Sequence, residues 1–104
     1  KLLKKIKKYI NISGFSLMKE NCLLDKHTDE NGLKNNSLAY HLGLIIPSNN
    51  KTCKLVIKSL DDNKLYYMEE KSGDAFVFDA THEHYAYNQS NEDRIILYID
   101  FKTN

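Results

Sequence analysis

The stretch from residue 74 to residue 101 reads DAFVFDATHEHYAYNQSNEDRIILYIDF. Aromatic and β-branched residues fill three short runs in it, and apolar and polar residues alternate along these runs with a period of about two. A cluster of Asn, Gln, Ser, Glu and Asp separates the second run from the third, where a turn is expected. This stretch therefore predicts three consecutive β-strands, at residues 74–78, 83–88 and 94–101.

The same kind of pattern continues toward the N-terminus. It predicts strands at residues 14–19, 37–46, 53–60 and 64–69, with turn-forming clusters between most of them. Seven short strands at this spacing favour an all-β sandwich or small barrel over a parallel sheet with crossover helices. The length of 104 residues is that of one compact domain.

Residues 1–10 follow a different pattern. Leu2, Leu3, Ile6 and Ile10 fall on one face of a helix and the lysines fall elsewhere, which predicts a short amphipathic helix. We therefore expect a single domain over 1–104, with a helical lead-in at 1–12 and a β-barrel at 13–104. Because the sequence starts at Lys1 and not at Met, a fragment of a longer chain is also compatible with it.

The charge distribution argues against a nucleic-acid partner. Five lysines and no acid occur in the first ten residues, which leaves 10 basic against 14 acidic residues in the rest of the chain. The body of the domain thus lacks the basic stripe that neutralises phosphates. No apolar run is long enough to span a membrane and no signal peptide is evident, so we expect a cytoplasmic segment. Two cysteines without C-x-x-C spacing indicate reduced thiols and no disulfide framework.

Histidine and aspartate occur together at His27-Thr28-Asp29. In extended backbone the side chains of residues i and i+2 leave on the same side, so both can reach one ion. This spacing suits two corners of the 2-His-1-carboxylate triad that binds iron(II) with open coordination positions. A histidine beside an aspartate that shapes a turn is the structural alternative for the same residues.

Arg94 is the only arginine among fifteen basic residues. It opens an apolar strand, where an unpaired charge is costly, so we expect it to have a buried anionic partner. Its planar guanidinium is the basic group best suited to a carboxylate. An exposed surface cation is the other interpretation.

The ordered landmarks of the chain resemble those of the aspartyl/asparaginyl β-hydroxylase catalytic domain. The resemblance covers roughly residues 14–101 and rests on the following stretches: Phe15-Ser16-Leu17-Met18, His27-Thr28, His41-Leu42-Gly43-Leu44-Ile45-Ile46-Pro47, Cys53-Lys54, Phe78-Asp79, Glu83-His84 and Arg94. It implies a double-stranded β-helix, which is a jelly roll of the cupin kind. It also implies a hydroxylase that uses iron(II), 2-oxoglutarate and O2, that is helped by ascorbate, and that releases succinate and CO2.

The resemblance assigns roles to individual residues. It implies that His27 and His84 bind the metal, that Arg94 holds the distal carboxylate of 2-oxoglutarate with help from Ser16, and that His41 lies on the cosubstrate's metal-side carboxylate. His84 matches the Glu-His landmark, which leaves His82 as a residue that supports the metal ligands or faces the substrate. The implied substrate is an Asp or Asn side chain of a peptide or protein.

Two positions depart from the family pattern. Animal members carry glycine where Asp29 stands, so their iron has two protein ligands, whereas here a third ligand is expected from Asp29. The family's arginine two residues before the His41 position is Ala39 in this sequence.

A cupin-like binding module without redox chemistry is the alternative from another class. In such a module His82, Glu83 and His84 would hold zinc or a sugar. Arg94 together with Ser16 distinguishes the two hypotheses, because a binding module does not need a carboxylate clamp opposite its metal.

Overall fold

The computed structural model describes residues 9–28, 37–47 and 53–102. These residues form eight β-strands: β1 (Ile10–Met18), β2 (Cys22–His27), β3 (Ser37–Ile45), β4 (Cys53–Lys58), β5 (Leu65–Glu69), β6 (Ala75–Phe78), β7 (His84–Asn88) and β8 (Arg94–Lys102). The described part contains no helix that is long and apolar enough to cross a membrane.

The strands form two four-stranded sheets. The first has the order β1-β8-β3-β6 and the second has the order β2-β7-β4-β5. Every strand pair in the described part of the chain is antiparallel, and neighbours in a sheet are mostly distant in sequence, such as β1 with β8 and β2 with β7. This arrangement confirms the predicted all-β jelly roll.

Six of the seven predicted strands match observed strands to within two residues at each end, and the exceptions lie near the N-terminus. β1 begins at Ile10, where Ile10 pairs with Phe101 and Ile12 pairs with Asp100. The helical lead-in predicted for residues 1–12 is therefore wrong at Ile10 and Ile12, because backbone pairing with β8 overrides the local helical pattern. Residues 1–8 lie outside the described part of the chain.

Strand β2 was not predicted from the sequence. Five of its six residues are exposed, and apolar and charged residues do not alternate regularly along it. It is an edge strand, and its pairing with β7 shifts register between Leu24 and His27. An edge strand with a bulge carries little of the period-two signal on which the sequence prediction relied.

Alternation along β8 places two kinds of residue on its two faces. Arg94, Ile96 and Tyr98 point toward the second sheet, whereas Ile95 and Leu97 point away from it. The outward residues continue an apolar surface across the neighbouring strands, which includes Phe15, Leu17, Tyr40, Leu42, Ile99 and Phe101. The middle of β8 is thus apolar on both faces, which explains the continuous apolar sequence from Ile95 to Ile99.

The core lies between the two sheets, beside the cavity described below. Buried side chains from both sheets pack together there: Met18, Ala39, Leu55, Phe78, Ala80 and Ala86. Phe78 of the first sheet and Leu55 of the second are 7% and 1% exposed. Their burial fixes the distance between the sheets and hence the relative positions of the side chains that face the cavity.

Asn88 ties the two sheets together by hydrogen bonds. It is fully buried, and its Nδ2 donates to the carbonyl oxygens of Met18, Lys19 and Glu92 at 3.2, 3.1 and 2.7 Å. Its Oδ1 accepts from the backbone N–H of Ser90 at 3.0 Å. The end of β1, the end of β7 and the turn before β8 are held in one arrangement by this side chain, which places Arg94 at the start of β8.

Candidate metal and carboxylate site

A cavity of about 220 Å³ lies between the two sheets. Its polar lining consists of Ser16, His27, His41, His84, Arg94 and Tyr98. Its apolar lining consists of Leu24, Leu55, Ala86 and Ile96. All of the predicted site residues that fall in the described part of the chain, from five different strands, therefore meet at one cavity.

His27 and His84 face each other across the β2–β7 pair. They are register partners, and their ring centroids are 4.2 Å apart. Nδ1 of His27 lies 2.8 Å from the carbonyl oxygen of Asp25, and Nδ1 of His84 lies 2.8 Å from the carbonyl oxygen of His82. A carbonyl can only accept, so each Nδ1 carries the proton, and in the neutral ring Nε2 carries the lone pair. Both rings therefore have the tautomer that binds a metal through Nε2.

The position of His82 agrees only in part with its expected role. Its side chain does not line the cavity and lies instead 3.9 Å from the carboxylate of Asp79. Its backbone carbonyl is what orients His84. The described residues also contain no group of three His, Cys, Asp or Glu side chains that could hold a metal ion. The trio of His82, Glu83 and His84 is accordingly not brought together as a zinc site.

The third predicted ligand, Asp29, lies outside the described residues. The described segment ends one residue earlier, at Thr28, directly after His27 and strand β2. The prediction that Asp29 completes the metal site therefore continues to rest on its spacing from His27.

Arg94 has the buried anionic partner that its sequence context predicted. Its Nε donates to Oε1 of Glu70 at 2.7 Å and its Nη2 donates to Oε2 at 3.0 Å. The two side chains are only 2% and 3% exposed. Nη1 of Arg94 is also buried, and it has no hydrogen-bond partner among the described residues. Since Arg94 lines the cavity, this nitrogen is a donor suited to a bound carboxylate.

Glu70 was not identified from the sequence. It follows β5 directly, and its backbone N–H donates to the carbonyl oxygen of Cys53 at 2.9 Å, which continues the pairing of β4 with β5. Its side chain therefore points inward, like that of Met68 two residues earlier. The next residue, Lys71, passes so close to Gly43 that a Cβ at Gly43 would collide with the Lys71 carbonyl oxygen. Glycine at position 43 thus permits the close approach that brings Glu70 beside Arg94.

Ser16 and His41 complete the polar lining. Ser16 lies on the inner face of β1, as the register partner of Ile96. The His41 ring makes an edge-to-face contact with Phe78, with ring centroids 4.8 Å apart, and its Nδ1 is buried without a hydrogen-bond partner in the described structure. Burial, with smaller contributions from the charges of Arg94 and His84, lowers the pKa of His41 to about 4. His41 is therefore a neutral imidazole at neutral pH.

The lowered pKa of His41 predicts a pH dependence of stability in the metal-free protein. The unfolded chain protonates this histidine near pH 6.5, whereas the folded protein does so only near pH 4. Between these values the unfolded state binds more protons, so the free energy of unfolding decreases as the pH falls from about 6.5 to 4. The loss should reach about 3 kcal/mol, because each pKa unit corresponds to about 1.4 kcal/mol.

Urea unfolding at several pH values, with wild type and His41→Gln side by side, measures this effect. Gln does not titrate, so the difference between the two proteins should shrink or reverse in favour of His41→Gln as the pH is lowered. Parallel pH profiles for the two proteins would show that His41 does not cause the dependence.

The sequence profile of the Aspartyl/Asparaginyl beta-hydroxylase family matches residues 1–104. The chain belongs to this family. The expectation from the sequence landmarks is thereby confirmed for family and fold. One protein with a similar sequence is the Ornithine lipid ester-linked acyl 2-hydroxylase of Rhizobium tropici, which is 40% identical to this chain over 70 residues. Those residues are 67% of this chain but 23% of that relative, so the match spans less than a quarter of its length.

Solved structures similar to this β-hydroxylase family member support the fold alone, because their sequence identity is low. A 2OG-Fe(II) oxygenase family oxidoreductase from Burkholderia pseudomallei superposes with a TM-score of 0.76 at 13% identity, over 92% of this chain and 45% of that chain. A predicted oxalate decarboxylase from Thermotoga maritima superposes with a TM-score of 0.61 at 13% identity, over 96% and 73%. Both support the double-stranded β-helix.

Proposed function

We propose that this chain forms the catalytic barrel of an iron(II)- and 2-oxoglutarate-dependent hydroxylase. The observation that carries the proposal is the shared cavity: the second sheet contributes two histidines with Nδ1 bonded to carbonyls, and the first sheet contributes the buried Arg94 guanidinium. This combination suits a metal-bound dicarboxylate better than a metal or a sugar alone. Family membership and the oxygenase-like fold support the same conclusion.

The chain's own donors fit iron(II). His27 and His84 would hold the metal through Nε2, with Asp29 as the proposed third ligand, and such a set leaves coordination positions for cosubstrate and O2. When bound, iron(II) with 2-oxoglutarate and O2 supplies an oxidant that places one oxygen atom on a substrate C–H bond and the other in succinate, with loss of CO2. The carbonyls of Asp25 and His82 fix the two imidazole rings before the metal arrives.

The remaining lining residues bind and orient the cosubstrate. Arg94 would take its distal carboxylate through Nη1, with the Ser16 hydroxyl as a second donor. Neutral His41, which also lines the cavity, can hydrogen-bond to the other carboxylate without adding charge. Leu55, Ala86 and Ile96 present apolar surface beside these groups, which limits the access of water to the reacting atoms.

The substrate that we propose is a methylene next to a carbonyl carbon. The substrates expected from the resemblance are Asp and Asn side chains of a peptide or protein. These side chains carry such a methylene at their β-carbon. The Rhizobium tropici relative is named for hydroxylation at carbon 2 of an ester-linked acyl chain, which is also next to a carbonyl. An acyl chain is therefore the second candidate, and the apolar, 47% exposed side chain of Leu24 at the cavity favours it.

The proposal predicts slow succinate formation without any substrate. Given iron(II), ascorbate, O2 and 2-oxoglutarate, the protein should convert the cosubstrate in an uncoupled reaction, because an open metal site permits turnover. Succinate and CO2 are measured in parallel for wild type and His84→Ala. If both proteins give the same background level, the oxygenase hypothesis is wrong and the binding-module hypothesis is favoured. Asp- and Asn-containing peptides and ester-linked acyl lipids, added separately, then show which class accelerates the reaction.

A further inference from the structure

We propose that Glu70 is a resident counter-anion of Arg94, which sets how tightly the cavity binds a carboxylate and which edge of the guanidinium that carboxylate uses. The inference rests on the proposed function in so far as the ligand is a dicarboxylate cosubstrate. It adds Glu70, which does not line the cavity, to Arg94, which does. Glu70 would act through Arg94 and is therefore a positioning residue.

The hydrogen bonds determine which edge of Arg94 remains available. A guanidinium has five N–H donors, one on Nε and two on each Nη. Glu70 takes the side edge formed by Nε and Nη2, through one oxygen each. Both hydrogens of Nη1 and the second hydrogen of Nη2 remain, and one hydrogen of each of these nitrogens forms the end edge. A ligand carboxylate that leaves Glu70 in place must therefore approach this end edge, where Nη1 is buried without a partner in the described structure.

The charge of Glu70 affects the affinity. The cavity lining among the described residues contains one permanent cation, Arg94, and no carboxylate. Glu70 already neutralises this cation through a buried ion pair, in which Oε1 of Glu70 lies 2.7 Å from Nε of Arg94. Arg94 and Glu70 thus compensate each other's buried charge without any ligand, but a ligand carboxylate gains less binding free energy than it would from an unpaired guanidinium. Glu70 is therefore expected to stabilise the ligand-free protein and to lower its affinity for the ligand.

These opposite effects on stability and affinity can be tested, because loss of a purely structural residue would lower the Tm without raising the affinity. Glu70→Gln removes the charge while keeping the size, so Arg94 loses its compensation and a bound dicarboxylate can supply it. We expect Glu70→Gln to have a lower Tm than wild type without ligand, yet to bind 2-oxoglutarate about tenfold more tightly. Glu70→Asp keeps the charge and should bind within about threefold of wild type, although it also has a lower Tm.

The measurement is calorimetric titration of metal-free protein with 2-oxoglutarate, together with Tm with and without this ligand. Glu69→Gln serves as the matched control, because Glu69 is the neighbouring carboxylate, half-buried and opposite Lys54 on the adjacent strand. Its affinity should equal that of wild type. Equal or weaker binding by Glu70→Gln, or no binding by any of the proteins, would overturn the proposal.

A second measurement needs no variant. Because Arg94 is the only arginine, its side-chain nitrogen signals in a ¹⁵N spectrum are assigned without ambiguity. On addition of 2-oxoglutarate the Nη signals should shift, while the Nε–H signal stays at its hydrogen-bonded position. A large shift of Nε–H would mean that the ligand displaces Glu70, which contradicts the proposal. Neither measurement depends on turnover, so a failure to form succinate would overturn the oxygenase function without deciding the role of Glu70.

Discussion

His84→Ala should lower the iron(II) affinity of the protein at least about 100-fold, and Asp29→Gly should lower it roughly tenfold. The histidine is one of two imidazoles that meet at the cavity with their Nδ1 hydrogens already engaged, so its loss leaves too few donors for stable binding. Removing a ligand should cost more than removing a group that only orients one, for which losses of 10- to 100-fold are typical.

The smaller effect of Asp29→Gly follows from the nature of the ligand. Iron(II) favours an anionic oxygen beside two imidazoles, but two histidines alone hold the metal in the animal relatives that the sequence resembles. Asp29→Asn should fall between wild type and Asp29→Gly, because an amide oxygen is a weaker donor. Some succinate formation should remain in both Asp29 variants.

Iron(II) affinities are to be compared for wild type, His27→Ala, His84→Ala, Asp29→Gly and His82→Ala. The last variant is the control, because the His82 side chain lies away from the cavity and its backbone carbonyl is retained. Its affinity should be unchanged. Equal affinities for wild type and Asp29→Gly, with loss in His27→Ala, would show that the site has two protein ligands.

Arg94→Ala should have two separate effects, one on binding and one on folding. The affinity for 2-oxoglutarate should fall by about 3 kcal/mol, roughly 100-fold or more, since a buried carboxylate loses its cation. This lies at the lower end of the usual 3–5 kcal/mol, because Glu70 already neutralises part of the charge. The free energy of unfolding should also fall by about 3–5 kcal/mol, because Glu70 is left buried and unpaired.

A double variant separates the two effects. Arg94→Met combined with Glu70→Gln removes both charges and should recover most of the stability, while 2-oxoglutarate binding remains lost. Arg94→Lys should recover only part of the binding, since an ammonium group cannot serve two carboxylates with a planar fork. Metal affinity should hardly change in any of these proteins. A half-saturation concentration for 2-oxoglutarate that moves less than about threefold in Arg94→Ala would mean that the arginine is purely structural.

Local patterns in the sequence were sufficient for most of the fold. The alternation in residues 74–101 predicted β6, β7 and β8, and the landmarks from Phe15 to Arg94 predicted the family and the jelly roll. Such signals are local, because half-buried strands repeat every two residues whatever their partners are. The same local reasoning failed where pairing decided the outcome: Ile10 lies in a strand because β8 is beside it, and β2 is an edge strand with an irregular register.

The sequence by itself determined which residues are candidates for the site, and the tertiary structure decided how they are arranged. Ser16, His27, His41, His84 and Arg94 were selected from the sequence, and the two sheets bring them to one cavity. Glu70 could not be selected, since its neighbours Glu69 and Lys71 make it look like any polar residue at a strand end. The sequence indicated only that Arg94 needed an anion. Which carboxylate supplies it depends on a contact between residues 24 positions apart, and such contacts are set by packing across the sheets and not by local pattern.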